Sequence, residues 1–455
     1  MQLTMTIRSE LLNYIDQHEI ILYRFSELSG INSGTFSRII NGSQPISVKI
    51  LDKITATMGL KEGHFYEQYI DELRNHTNLD WRRVRPLIIR SAELCKLNCI
   101  ERIVDMMMEN TAYIALLFDL ADVLHTEGKT EAALILYRKV SEGERFQHAE
   151  RLAICQYRIF KSTQNDDQQN NLECAVQFEP YAARLNEWDQ LDALKDLTNL
   201  YLSLRRWDKA KHLAKHMGEL ATIQYEIKHE RIKHNKRFTE PSKPLFGYIL
   251  YSNLILGSIS EEQNEYQQAL HYLSYYEDHS WIVENEYADE QTKKQFRIWA
   301  EGNKYLYRLM AGEVEVLDDY IEYLASREHE ILKGLFKVIK AAKKYHINVD
   351  HILARFEDTI DAQIKNQENV GSYTDQIIND RFVNFLADVG EYYVSSDRVD
   401  TGIQFILNSL AISAKINSNA CILRCFCMFD ALRHLVTEVD LRRYKEILKE
   451  VHRQL

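Results

Sequence analysis

Helix breakers are nearly absent from this chain, with five prolines and 16 glycines among 455 residues. A sequence punctuated so rarely, and rich in Leu, Ile, Ala, Glu and Lys, is expected to be mostly helical, in the all-α fold class. Its 45% hydrophobic and 11% aromatic content suits a packed interior. Its length exceeds that of one ordinary domain, so two or more are expected.

From Trp81 onward the pattern is a series of helical pairs. The clearest is LLFDLADVLHTEGKTEAALILYRKV, residues 116 to 140. Ala121, Leu124, Gly128, Ala133, Tyr137 and Val140 stand where a tetratricopeptide repeat has small, large, turn, small, aromatic and small residues. The small residues let two helices approach, and the glycine turns between them. A second unit spans 196 to 217, with Tyr201, Trp207, Ala210 and Ala214, although Arg205 replaces the turn glycine. A third, 253 to 273, has Gly257, Tyr266, Ala269 and Leu273. Weaker units lie at 299 to 321 (Tyr305, Gly312, Leu317) and 385 to 413 (Gly390, Tyr393, Gly402), and ILRCFCMFDALRHL begins a terminal cap. One pair cannot bury its own apolar face, so stacked pairs imply a solenoid with a concave surface. The basic stretch 226–244, with Pro241 and Pro244, reads as a solvated loop between units.

Ahead of the repeats, TIRSELLNYIDQ forms a first helix with Ile7, Leu11, Leu12 and Ile15 as its stripe. Residues 21 to 60 then read as three short helices. Gly30 ends the first, Asn32 caps Ser33–Ile40, Asn41-Gly42 closes that helix, and Ser47 caps Val48–Met58. Apolar Phe25, Leu28, Ile31, Phe36, Ile39, Ile46, Ile50, Leu51, Ile54 and Met58 give each helix a buried stripe. Lys61 to Asn75 reads as a linker helix, and Pro86 as a first-turn residue of the next helix. The expected domains are 1–60, a linker at 61–80, and a repeat domain at 81–455.

Two short helices joined by a glycine turn form a helix-turn-helix. The run SGINSGTFSRIINGSQPIS closely resembles the phage-repressor-like (Cro/CI, or Xre) DNA-binding domains, over residues 6 to 60. The resemblance implies that the start and outer face of Ser33–Ile40 read the major groove, through Ser33, Gly34, Thr35, Ser37 and Arg38. Arg38 alone among them can hold guanine O6 and N7 at once, worth about 1–3 kcal/mol of discrimination. Asn41, Gly42 and Ser43 match the loop whose amides approach the phosphates. One departure matters: where that family often has a polar phosphate anchor at the start of the second helix, this chain has Ile21 and Leu22, so either Tyr23 or Arg24 substitutes or that anchor is weaker.

Net charge is −11, unfavourable for nucleic acid as a whole. The first 72 residues carry six basic and nine acidic side chains, so any attraction is local, from Arg24, Arg38, Lys49 and Lys53 on one face. Such binding is expected to be specific and salt-sensitive. No apolar run of 18 residues exists and MQLTMTIRSE is no signal peptide, so a cytoplasmic protein without a membrane partner is expected. Seven cysteines without a framework spacing suit a reducing compartment. His212 and His216 share a zinc-like spacing but lack a third ligand. Cys95 with Cys99, and Cys421 with Cys425, read as small buried hydrophobes. Neither a phosphate-cradling glycine loop nor a nucleophile elbow occurs. No cofactor, metal or enzymatic activity is expected.

A repressor-like domain ahead of a tetratricopeptide-like solenoid resembles the peptide-sensing regulators of Gram-positive bacteria, their phages and plasmids: the Rap, Rgg, NprR, PlcR, PrgX and arbitrium-receptor types. That resemblance implies a homodimer, a palindromic double-stranded DNA operator, and a short signalling peptide held in the groove, as in quorum sensing. In that group inner-helix asparagines grip the peptide backbone, since an amide both donates and accepts. Asn199, Asn253 and Asn303, 54 and 50 residues apart, hold such positions, with Tyr201, Tyr251 and Tyr305 beside them. The competing readings are a DNA-binding regulator whose solenoid binds a partner protein, and an interaction protein that does not bind DNA.

Overall fold

The computed structural model describes residues 6–74, 80–144, 149–165, 167–233, 241–283, 287–365, 373–416 and 418–454. It is all-α, with 24 α-helices among those residues. The chain divides into two compact units, one made of residues 1–164 and 176–186, the other of 165–175 and 187–455.

The first unit begins with α1 (Ile7–Gln17), α2 (Leu22–Ser29), α3 (Ser33–Ile40) and α4 (Val48–Thr57). Their ends follow local chemistry. Thr6 accepts from Ser9 N, Asn32 Oδ1 from Gly34 and Thr35 N (3.0 and 3.3 Å), and Ser47 from Ile50 N. Gly30, at φ +59°, ends α2. Phe25 stacks on Phe36 with centroids 5.1 Å apart, over Leu11, Ile15, Ile31 and Ile54. Two expected core residues face out instead: Leu28 is 55% exposed and Leu12 37%.

Next come α5 (Tyr66–Arg74), α6 (Trp81–Glu93), α7 (Leu97–Met108), α8 (Ile114–Thr126), α9 (Thr130–Gly143) and α10 (Ala149–Thr163). Residues 61–74 do not behave as a linker. Phe65, Tyr66, Tyr69, Ile70 and Leu73 share one core with Ile39, Ile46, Val48 and Leu51 ahead of them and with Val84 to Cys155 behind. The Tyr66 hydroxyl donates to Asp52 (2.7 Å), that of Tyr69 to the Ile46 carbonyl (2.6 Å), and Arg90 pairs with Asp52, Glu62 and Glu93. Pro86 lies inside α6, beyond its first turn, because Asp80 caps that helix by accepting from Arg82 N.

The helix α11 (Gln168–Ala182) is divided between the units. The second unit continues with α12 (Glu187–Ser203), α13 (Trp207–Lys233), α14 (Leu245–Glu262), α15 (Tyr266–Glu277), α16 (Tyr287–Ala311), α17 (Leu317–Ala325) and α18 (Ile331–Tyr345). It closes with α19 (Asp350–Arg355), α20 (Glu357–Lys365), α21 (Tyr373–Ser395), α22 (Val399–Lys415), α23 (Asn419–Ala431) and α24 (Glu438–Gln454). Consecutive helices pack on one another from α12 to α16, and α21 packs on α22, which makes this unit a tetratricopeptide-like stack of helical pairs. The stretch expected as a loop at 226–244 is helical as far as Lys233, and 234–240 lies outside the described residues.

Six of the turns between successive helices use the same device. Six residues, Cys95, Gly128, Arg205, Asn264, Gly312 and Asp397, have φ between +53° and +108°. The residue after each donates its N–H five back, Lys96 to Ser91, Lys129 to Leu124, Arg206 to Tyr201, Glu265 to Ser260, Glu313 to Arg308 and Arg398 to Tyr393, at 2.8–3.0 Å. That is the left-handed helix stop that satisfies otherwise orphaned carbonyls.

Candidate nucleic-acid interface and ligand cavities

On α3, Phe36 and Ile39 are buried and anchor the helix, while Ser33, Gly34, Ser37 and Arg38 are exposed and Thr35 is half-buried. The Arg38 guanidinium is held in place, donating to Gln44 Oε1 (3.0 Å) and Thr35 Oγ1 (3.3 Å). Those bonds leave some of its N–H donors unspent on a side chain already oriented, which lowers the entropy lost on contact. Lys49 is exposed nearby in sequence, at the start of α4.

Other expected contacts are differently placed. The amides after α3 are spent internally: Asn41 N on the Ser37 carbonyl, Gly42 N on Ile39, and Ser43 N on Arg38. The Ser43 hydroxyl also donates to the Arg38 carbonyl (3.2 Å). This loop therefore has no free amides at those positions, and the exposed Asn41 side chain donates to Ser37 Oγ (3.5 Å). Arg24 is paired with Glu27 (3.1 Å), and Lys53 donates to the Gly30 carbonyl (2.6 Å), closing α2. Neither is an uncommitted phosphate ligand. Arg8, which sequence reasoning passed over, reaches the loop after α3, with Nη1 3.2 Å from where a Gly42 side chain would begin. Ile21, Leu22 and Tyr23 are exposed and α2 has no side-chain cap.

Two cavities among the described residues of the second unit bear on ligand binding. The larger, about 580 Å³, opens between α13, α14 and α15 beside Glu219, Thr222, Ile223, Asn253, Leu256 and Tyr272. The smaller, about 240 Å³, lies between α16, α17 and α18, against Trp299, Asn303, Leu306, Tyr320 and Lys333. The three asparagines do not share one site. Asn253 lines the first cavity, with one amide hydrogen on the Ile249 carbonyl (3.0 Å). Asn303 lines the second, its Nδ2 donating to the Tyr276 hydroxyl (3.0 Å). Asn199 lines neither; exposed, it accepts from Tyr251 Oη at 2.6 Å. Burial raises the pKa of Tyr251, which keeps that hydroxyl protonated to donate.

Tyr201 is buried to 1% beside Leu197 and Thr198, so it is a packing residue and not a ligand contact. Tyr305 packs on Tyr320 and Tyr323, with centroids 6.3 and 5.9 Å away. Sequence reasoning missed Thr222, Ile223 and Tyr272. The one signal for the first cavity was Gly218, where an added Cβ would fall 2.5 Å from Ser252 Oγ, marking the close approach of α13 and α14 between which the cavity opens.

Cys421 and Cys425 are buried with sulfurs 4.0 Å apart, near Ser409. Among the described residues, no group of three or more His, Cys, Asp or Glu side chains is placed to hold a metal ion. Among them, too, no helix is long and apolar enough to cross a membrane.

No protein-family model matches the chain, and no curated protein does. Among solved structures, it is similar to aspartyl phosphate phosphatase F from Bacillus subtilis, at 12% identity and TM-score 0.35, over 90% of this chain and 96% of that one. It is also similar to a circular tandem repeat protein with novel repeat topology, at 11% identity and TM-score 0.15, over 98% and 90%.

Proposed function

We propose that this chain is a DNA-binding transcriptional regulator controlled by a short signalling peptide. The observation that carries the reading is α3. It is capped by Asn32, anchored by Phe36 and Ile39, and exposes Ser33, Gly34, Ser37 and a braced Arg38 on its outer face. That is the arrangement a recognition helix needs in a major groove. The 580 Å³ cavity beside Asn253 supports the second half of the reading, since an open cleft that sets Asn253, Thr222 and Glu219 among the apolar Ile223, Ile249 and Leu256 suits an extended backbone. The protein acts as a homodimer without catalytic activity, inside the cell, with two α3 helices about 34 Å apart, or a multiple of that, on a palindromic operator. Peptide binding in the second unit changes operator affinity by about 5–150-fold.

The test is selection of genomic fragments by the purified protein at physiological salt, with Arg38→Ala in parallel. One palindromic sequence should emerge, and the variant should bind it about tenfold or more weakly. Recovery of no preferred sequence, or of the same one with equal affinity by the variant, overturns the reading. A second reading, in which the second unit binds a partner protein, is favoured by exposed Ile223 and Ile227 on one face of α13. It would replace the first if no peptide changed operator affinity while a co-purifying protein did.

A further inference from the structure

The smaller cavity of the second unit has a composition that a peptide cleft does not require. At about 240 Å³ it falls below the roughly 300–1,000 Å³ of sites that bury drug-sized ligands, so it has room for a single residue. Trp299, Leu306 and the buried Tyr320 supply an apolar lining. At its wall stand Glu330 and Lys333, three residues apart, a spacing at which opposite charges on a helix ordinarily pair. Here they do not. Glu330 lies 3.4 Å from the Tyr323 hydroxyl, whose hydrogen is closer to the Ile298 carbonyl (3.0 Å), and 3.7 Å from exposed His329. Among the described residues, Lys333 makes no ion pair or hydrogen bond. The other lysine of the wall, Lys337, is occupied: it donates to both oxygens of buried Glu261 (3.0 and 2.8 Å) and to Glu262 (3.0 Å). Burial disfavours its charge, but those two carboxylates outweigh that and raise its pKa. Asn303 gives a hydrogen to Tyr276 and keeps its carbonyl oxygen as an acceptor.

We propose that this cavity binds one apolar amino-acid residue carrying a free α-carboxylate. The carboxylate meets Lys333, the residue's N–H is shared between Glu330 and the Asn303 carbonyl, and the side chain lies against Trp299, Leu306 and Tyr320. A free amino acid and the last residue of a peptide present the same side chain and carboxylate, and each offers N–H donors, the first from an ammonium and the second from an amide. The site goes beyond the regulator reading and stands whether or not the chain binds DNA, since its test measures neither operator nor peptide effect.

The full-length protein is titrated by ligand-observed NMR with leucine and phenylalanine, each as the free amino acid, the N-acetyl acid and the N-acetyl amide. Either acid form should bind saturably, and the amide at least about tenfold more weakly, the loss expected when a charge-assisted bond is removed. Lys333→Gln, at an exposed position, should erase that preference with unchanged circular dichroism. Tighter binding of the free amino acid identifies it as the source; tighter binding of the N-acetyl acid identifies a peptide end. Equal binding of acid and amide, a preference untouched in Lys333→Gln, or no saturable binding of any form up to about 10 mM overturns the proposal.

Discussion

Arg205 holds φ at +53°, a conformation that costs an L-residue about 1–2 kcal/mol where glycine is nearly indifferent. Its side chain is exposed, so the position is set by the backbone turn between α12 and α13 and not by a contact. Arg205→Gly is therefore expected to stabilise the protein by about 0.5–1 kcal/mol, the relief of strain less glycine's greater entropy when unfolded. A higher midpoint in urea denaturation would show it; a lower one would mean that the arginine side chain contributes more than the turn costs. The same residue explains a limit of reading the sequence. Gly128 and Gly312 announced their turns, but Cys95, Arg205, Asn264 and Asp397 adopt the same conformation with no glycine to mark it. Asn264 and Asp397 are residue types that tolerate the left-handed region, whereas Cys95 and Arg205 carry no local sign of it. Tyr201 shows the reverse case, a site residue that spacing alone could have removed. It lies four residues after Leu197, which is fully buried, so it shares the core face while Asn199, two positions earlier, points out.

At the scale of elements, the pair α21 and α22 depends on two facing glycines. A Cβ at Gly390 would lie 3.0 Å from the Gly402 carbonyl oxygen and 2.7 Å from Ile406 Cγ1; one at Gly402 would lie 2.8 Å from the Gly390 carbonyl. The obstacle is partly backbone, which cannot rotate away as a side chain tip can. Gly390→Ala should force the helices apart and destabilise by about 1–3 kcal/mol, read as a fall in the thermal midpoint. An unchanged midpoint would show that the pair tolerates separation. Both glycines were visible in the sequence as repeat positions, yet their role as a mutual close approach required knowing that they face each other. The α3 helix was more legible. Its cap, its buried Phe36 and Ile39, and its polar outer face all follow from local rules, because a short capped helix on a small core leaves few alternatives. The loop after it was misread, since the amides expected to meet phosphate close the helix instead.

At the scale of the molecule, the segment α1 to α4 is not a bead on a tether. Its own cluster of Leu11, Ile15, Phe25, Ile31, Phe36 and Ile54 is small, and Ile39, Ile46, Val48 and Leu51 belong to a second core shared with α5 to α9. Sequence periodicity could not reveal this, because a helix with one apolar stripe reads the same whether it spans two domains or packs within one. About 60 residues bury only some 60% of the surface their unfolded chain exposes, which leaves such a piece marginal even with a complete core. A fragment of residues 1–60 would expose Ile46, Val48 and Leu51 where Phe65, Tyr66, Tyr69 and Leu87 now cover them. It is expected to melt without a cooperative transition, whereas a fragment of residues 1–186 should melt cooperatively and keep the helix content of this unit. Calorimetry on the two decides it. A cooperative transition of 1–60 at the temperature of 1–186 would mean that the Phe25–Phe36 cluster suffices alone; its absence would mean that α1 to α4 draw their stability from the core they share with α5 to α9.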